Sequence, residues 1–456
     1  MKLTRRHLFQ LAASAVALPA LPFDGGPRPD KRDIIVRSAR PEDLEMPLEG
    51  FADYITPVEH FFVRSHHYEP KVDIATWKLT VDGQVATPLS LSIDDLRKMP
   101  KVELVSVLEC AGNGRAFYAP TVPGLQWKTG SVGNGRWTGV RLADVLKRAG
   151  IKAAGTELLM DGADVPIGTM PEFQRTIPVK KALDPNTILA YEMNGQTLPN
   201  QHGFPLRLIA PGWASDSWVK WLTRLTVLDH EFEGFFMKTA YRHPGKPVKP
   251  GVAVDPADMK PVTSLHVKSI LRTPFDGTDV ELGKPLLIAG AAWSGDNGPV
   301  SAVDVSTDGG RTWQAAKLGA ERSQFGWRLF SHTFTPAKAQ YYNIMSRART
   351  AAGDIQPFTE EWNPSGYQWN VVPSVGVNAT ANPATAQPPA NHPAVGDQPN
   401  GYKQACLTCH GEDVIQQQRL TRGQWDKEVD KMVRWGSPVK KEDRESILRY
   451  LSDHFR

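Results

Sequence analysis

The chain has 456 residues, and its 41% of apolar side chains are enough to fill cores in two to four domains. A formal net charge of +4 over that length gives no basic field of the kind that nucleic acid requires. Beyond the first residues no apolar run is long enough to cross a bilayer.

Residues 1–20 read as an export leader. Arg5 and Arg6 precede an apolar stretch at 8–18, and small residues follow. The order Thr4-Arg5-Arg6-His7-Leu8-Phe9 looks like a twin-arginine signal, with an ordinary secretory leader as the alternative. Cleavage after Ala15, Ala17 or Ala20 would satisfy a small-x-small rule. Residues 24–47 are polar and carry proline, the composition of a surface-hugging or partly disordered arm.

Residues 77–85 alternate around Asp82-Gly83, a hairpin signal. A short helix is expected over 92–99 with Ser92 as its cap. A β-rich run at 102–108 ends in Glu109, then Cys110, then Gly112, Asn113 and Gly114, which tolerate positive φ. Cys110 is therefore expected at a strand end, its sulfur aimed into the loops. A second helix should run from about 141 to 149 with Leu142, Val145 and Leu146 on one face and Gly150 as its stop. A strand at 157–160 precedes Gly162-Ala163-Asp164. No βαβ rhythm appears and no GxGxxG follows a strand, so a mixed α+β domain is expected and no dinucleotide fold. Residues 244–261, rich in proline and lysine, read as a crossing segment.

From 262 the texture changes to short β runs at 286–293, 300–306, 313–318, 327–334 and 341–348. Asp308-Gly309-Gly310 closes a hairpin, and the spacing argues for an antiparallel sandwich of immunoglobulin-like shape. Residues 373–400 are Pro-, Ala-, Asn- and Thr-rich, a flexible linker. Cys406-Leu407-Thr408-Cys409-His410 is a CxxCH, the attachment motif of c-type haem, with His410 as proximal ligand. A zinc site or a dithiol redox pair would need a second ligand pair or a thioredoxin context. The tail at 401–456 is small for an independent core, and a covalently held haem would supply apolar mass. Trp425, Val429, Met432 and Val433 form a helical stripe in which Met432 is the expected sixth ligand, with His454 the alternative. A last helix at 441–454 should pack through Ile447, Leu448 and Leu451.

Taken alone, Cys110 reads as a buried inert thiol, His202 as a satisfied buried histidine, Arg207 as the partner of an acid and Tyr241 as packing. Three stretches change that: FFVRSHH at 61–67, VSVLECAGNGR at 105–115, and YEMNGQTLPNQHGFPLRLIAPGW at 191–213 followed by WVKWL. Together they resemble the sulfite oxidase family of molybdenum enzymes.

The resemblance implies a thiolate from Cys110 on molybdenum held by a pterin dithiolene. It implies cofactor contacts from Phe62, Val63, Arg64, Ser65, His66 and Asp164. It also implies a cradle of His202, Arg207, Trp218, Val219 and Lys220, cations and backbone N–H groups that suit a cofactor phosphate. Arg64 and Arg115 would attract the substrate anion, Tyr241 would orient it and Trp127 would wall the pocket.

The implied fold is α+β: a molybdopterin domain at 45–250, an immunoglobulin-like dimerisation domain at 262–372, and a small all-α cytochrome c domain at 401–456. The implied activity is oxidation of sulfite to sulfate, using molybdenum-molybdopterin and haem c. Electrons would pass through the haem to an external c-type cytochrome, in a homodimer exported to the periplasm by the twin-arginine route, which carries folded, cofactor-loaded proteins. One position departs from the family. The animal enzymes carry a substrate arginine in WNxRG, and this chain reads Trp362-Asn363-Pro364-Ser365-Gly366. The alternative is therefore a sulfane dehydrogenase acting on protein-bound sulfur.

Overall fold

A computed structural model describes residues 29–31, 33–383, 398–407, 410 and 412–455. The leader at 1–20, residues 384–397 of the linker and Cys409 of the CxxCH lie outside the described residues.

Two five-stranded sheets build the first domain. In one, the strands run in the order Gln196–Thr197, Ile188–Met193, Val132–Arg141, Lys101–Glu109, and Arg207–Ile209 also pairs with Ile188–Met193. In the other the order is Leu89–Leu91, Leu79–Gly83, Leu222–Leu228, Glu157–Gly162, Arg175–Pro178. Only Leu222–Leu228 against Leu79–Gly83 is parallel in this second sheet. The helix Leu142–Ala149 lays Leu142, Val145, Leu146 and Ala149 into the core and stops at Gly150, whose φ is 71°. The helix Ile93–Arg97 starts on a reciprocal capping box between Ser92 and Asp95.

Two local expectations need correction. The chain does not reverse at Asp82-Gly83: Gly83 still pairs with Val227, and Asp82 accepts from Thr226 Oγ1 at 2.7 Å and from Arg224. Nor is the polar arm, over its described residues 33–47, a surface tether. Ile35–Ala39 and Glu42–Glu45 form a hairpin in which Ser38, Asp43 and Glu45 are buried. Buried carboxylates are tolerated there because distant partners satisfy them. Glu45 accepts from Arg37 Nε at 2.5 Å and from the backbone N–H groups of Lys128 and Gly130 at 3.1 and 2.9 Å.

Two sheets pack as a sandwich in the second domain. One has the order Lys268–Thr273, Leu286–Trp293, Arg328–Phe334, Lys317–Leu318. The other has Thr278–Glu281, Ser374–Thr380, Tyr341–Thr350, Val300–Ser306, Gln314–Ala315. Ile288, Val303, Ile344 and Val377 meet between them. Gly309 and Gly310 take φ of 72° and 87° in the turn after Val300–Ser306. The sandwich thus runs past 372. The first residues of the linker stretch are an inner strand whose Val377 and Ala379 are buried, an alternation too short to stand out from the surrounding composition.

The C-terminal part is helical: Tyr402–Cys406, Asp413–Gln416, Arg422–Arg434 and Lys441–His454 close on Tyr402, Leu420, Trp425, Ile447 and Leu451. It is seated on the first domain. Gln417 accepts from the Gln126 N–H at 2.8 Å and donates to the Arg37 carbonyl at 2.7 Å. Gln418 accepts from the Gly124 N–H at 3.2 Å, and Trp435 meets Phe235 edge-on at 5.8 Å. No helix among the described residues is long and apolar enough to cross a membrane.

Candidate active site

A cavity opens where the loops after 61, 162 and 201–220 converge. Phe62, Val63, Arg64, Ser65, His66, Asp164, His202, Arg207, Trp218, Lys220 and Tyr241 all line it, so most of the candidate residues come together. Val219 and Trp127 do not: both are buried in the core, Val219 giving its carbonyl to the Leu208 N–H and Trp127 giving its own to Ala116.

Cys110 follows the strand Lys101–Glu109 as expected from the turn chemistry behind it. Its N–H donates to Ser131 at 2.9 Å, and of the three turn residues only Gly114 takes a positive φ, 91°. Cys110 is buried and does not itself line the cavity, whereas Leu108, two residues earlier, does. Burial pushes its pKa up, against the pull of the Arg64 charge.

Arg64 is not a free cation. It donates to Asp43 at 3.1 Å, and the same carboxylate accepts from the Ser65 N–H at 3.0 Å. Burial raises the Asp43 carboxyl to about 6 while Arg64 opposes that rise. His66 stacks on Phe173 at 4.4 Å, and its Nε2 lies 2.7 Å from the Tyr241 hydroxyl. Burial first, and the Arg64 charge second, hold this imidazole neutral. Burial likewise pushes the Tyr241 phenol well above its ordinary value.

Arg115 is buried and does not line the cavity. Its guanidinium donates to the Leu125 carbonyl at 3.0 Å and to the Ser365 carbonyl at 3.4 Å, and lies 5.1 Å from the centre of the Tyr367 ring. The loop in which the family arginine is missing therefore does touch the site, through main chain and an aromatic ring.

The cradle has the signature of a site built for an anion. Among the described residues Arg207 donates only to the carbonyls of His202 and Trp218, at 2.9 and 3.1 Å, and its buried Nε has no partner. Burial alone lowers its pKa to about 9. Lys220 donates to Ser65 Oγ at 2.9 Å and to the Gln201 carbonyl at 3.0 Å, and burial lowers it to about 8. Lys31 reaches His202 Nε2 at 3.1 Å, and burial lowers it to about 7. Ser217 Oγ, Asn200 Oδ1 and Gln201 Oε1 nearby are buried without partners. Among the described residues none of these three cations is in an ion pair, and buried cations outside ion pairs and buried polar atoms without partners are each unfavourable by kilocalories. A phosphate joined to a heteroatom-rich ring removes both penalties, so these residues fit molybdopterin.

A second cavity lies between the first domain and the C-terminal helices. Cys406, His410 and Met432 line it together with apolar Leu125, Ile167, Val414, Ile415, Trp425 and Val429. His454 does not; its Nδ1 is 3.0 Å from the Tyr450 carbonyl, and its ring packs on Tyr450. A thiol, an imidazole and a thioether around an apolar space fit a haem. Arg64 and His66 line both cavities.

Sequence reasoning missed Lys31, Asp43, Arg175, Asp216 and Tyr367. Arg175 and Asp216 form a fully buried pair beneath Tyr241, with the guanidinium 5.3 Å from its ring. The last three residues of Glu42–Glu45 are all buried, but three of the four are acidic, so nothing in the sequence marks Asp43 as buried.

Residues 66–236 match the oxidoreductase molybdopterin binding domain, and 259–379 match the Mo-co oxidoreductase dimerisation domain. Mitochondrial sulfite oxidase of Rattus norvegicus is 39% identical over 350 residues, 73% of this chain and 63% of that protein. The chain therefore spans less than two thirds of that relative's length. Sulfite oxidase of Gallus gallus is 36% identical over 363 residues, 76% of this chain and 78% of that protein. The crystal structure of the sulfane dehydrogenase SoxCD from Paracoccus pantotrophus superposes with a TM-score of 0.65 at 26% identity, covering 83% of this chain and 95% of that one. With a molybdopterin domain, a dimerisation domain and relatives of this identity and coverage, the chain belongs to the sulfite oxidase family of molybdenum enzymes.

Proposed function

We propose that this chain is a periplasmic, homodimeric sulfite dehydrogenase that passes electrons through its own haem c to an external c-type cytochrome. The observation that carries the reading is the shared wall: Arg64 and His66 line both the cavity that fits molybdopterin and the cavity that holds Cys406, His410 and Met432. Two-electron chemistry on sulfite must be divided into single electrons for a haem, and adjacency serves that division. The names of the rat and chicken relatives support sulfite as the substrate. The arginine pair at Arg5 and Arg6 supports export in the folded state.

Molybdenum bound through Cys110 would supply the two-electron oxidation of sulfite to sulfate. The chain supplies the rest. Arg115 offers the anion a guanidinium that carbonyls and a ring hold in place. Arg64, tied to Asp43, offers direction more than net charge. Conversion of sulfite and water to sulfate releases two protons with the two electrons. Tyr241 Oη and the neutral His66 Nε2, 2.7 Å apart, form the first pair able to take a proton out of the pocket.

A second reading is a sulfane dehydrogenase acting on protein-bound sulfur. Ser365 favours it, because the pocket has one cation fewer than the animal enzymes, and so does the likeness to the Paracoccus structure. Cytochrome c reduction by the purified, cofactor-loaded protein decides between them. Rapid reduction with sulfite and none with thiosulfate supports the first reading. Absence of reduction with sulfite, beside turnover on a sulfur-loaded carrier protein, replaces it with the second.

A further inference from the structure

Tyr367 follows Ser365 by two residues and meets two groups of the site. Its ring stacks on the Tyr241 ring with centroids 5.3 Å apart and planes 11° apart. Tyr241 itself holds a φ of 55°, a conformation that a bulky side chain rarely adopts unaided. The Arg115 guanidinium lies 5.1 Å from the Tyr367 ring centre. The Tyr367 backbone is fixed in turn: its carbonyl accepts from Tyr118 Oη at 2.6 Å and Asn363 Nδ2 at 3.0 Å, and its N–H donates to Asn363 Oδ1 at 3.2 Å.

We propose that Tyr367 is a positioning residue that holds Arg115 and Tyr241 toward a sulfur oxyanion, in the loop where the family's arginine is replaced by Ser365. The inference rests on the reading of this pocket as a sulfur-oxyanion site. A guanidinium can be held by a carboxylate or by an aromatic face. A carboxylate neutralises it, as Asp43 does to Arg64. An aromatic face attracts it through the ring quadrupole and adds no net charge. Among the described residues no carboxylate forms an ion pair with Arg115; carbonyls and Tyr367 hold it instead. Gly112 and Gly124 leave it a slot so narrow that a Cβ at either position would come within 2.8 and 3.0 Å of the guanidinium. Arg115 thus keeps its charge for a ligand while its geometry is fixed, and one loop compensates for the cation it lacks.

The test uses the full-length, cofactor-loaded protein with Tyr367→Phe and Tyr367→Leu. Phenylalanine keeps the ring face and the stack; leucine removes both. With leucine the KM for sulfite and the Kd for sulfate, read by calorimetry, both rise about tenfold, while kcat changes less. With phenylalanine both constants stay within about twofold of the parent. Molybdenum content is measured on each preparation, and Tyr367→Met, flexible and apolar, takes the place of leucine if leucine does not load. A loaded leucine or methionine variant with parental KM and sulfate affinity overturns the proposal. So does a phenylalanine variant as weak as leucine, which would place the effect on the phenol and not on the ring face. If the parent does not oxidise sulfite but its sulfate affinity still depends on Tyr367, the substrate assignment fails and the role of Tyr367 stands.

Discussion

Arg64 meets the Asp43 carboxylate at 3.1 Å on the wall common to the two cavities. Of the two arginines expected to draw in the substrate anion, one therefore arrives with its counter-ion and the other does not. Arg115→Gln should raise the KM for sulfite about tenfold or more, the loss of a desolvated charge contact of more than 1.4 kcal/mol. Arg64→Gln should raise KM less but lower the melting temperature sharply, because an unpaired buried Asp43 costs about 3–5 kcal/mol. Asp43→Asn should move KM the other way, downward, by releasing the Arg64 charge. Steady-state kinetics and thermal melts on the three variants check the pattern, and equal KM effects from both arginines would contradict it.

Cys110→Ser should leave fold and pterin content intact while sulfite turnover by the loaded protein falls at least about a hundredfold. A serine oxygen is a harder and less covalent ligand than a thiolate. Turnover close to the parent, at equal molybdenum content, removes Cys110 from the metal.

Met432 lines the apolar cavity with Cys406 and His410, Met170 is a second thioether on its wall, and His454 is turned to the Tyr450 carbonyl. Met432→Ala should lower the haem potential and abolish the long-wavelength methionine–iron band, whereas His454→Ala should leave both as they are. Potentiometry with absorption spectra separates the two.

The strand Ser374–Thr380 lies between Thr278–Glu281 and Tyr341–Thr350, so the point of truncation matters. A chain ending at 383 should fold, bind molybdenum and oxidise sulfite with ferricyanide, yet reduce cytochrome c far more slowly than the full protein. A chain ending at 373 loses an inner strand, exposes Ile344 and should not accumulate. Equal cytochrome c reduction by the 383-residue chain would show that the C-terminal helices are not the electron exit.

Burial lowers Lys31 to about 7 and Lys220 to about 8, from an ordinary value of 10.5. Both lysines bind protons more weakly in the folded chain than in the unfolded one. The resulting penalty on the cofactor-free fold is full below about pH 7 and fades as pH rises toward 10.5. The empty protein should therefore gain stability from pH 7 to pH 10. A bound phosphate restores both charges, so the gap in Tm between loaded and empty protein should narrow over the same interval. Calorimetry on the two forms tests this; a gap that widens with pH contradicts the phosphate cradle.

Local patterns in this chain determined a good deal. The Ser92 cap, the Gly150 stop, the Asp308-Gly309-Gly310 turn and the β spacing after 262 are each set by neighbours within a few residues, and they appear in the structure where the sequence places them. The stretches carrying Arg64, His66, His202, Arg207 and Lys220 named the residues of one cavity because loops of fixed sequence leave adjacent strands. Tertiary structure alone decided what those residues touch. Whether a buried arginine is paired depends on a carboxylate from a distant hairpin, so Asp43 neutralises Arg64 although the arm that carries it looks unstructured. Whether the proline-rich stretch is linker or sheet depends on neighbours that leave Ser374–Thr380 a place between two strands. The seating of the C-terminal helices on the first domain, around a cavity that Arg64 and His66 also line, is a matter of complementary surfaces, which no periodicity along one chain encodes.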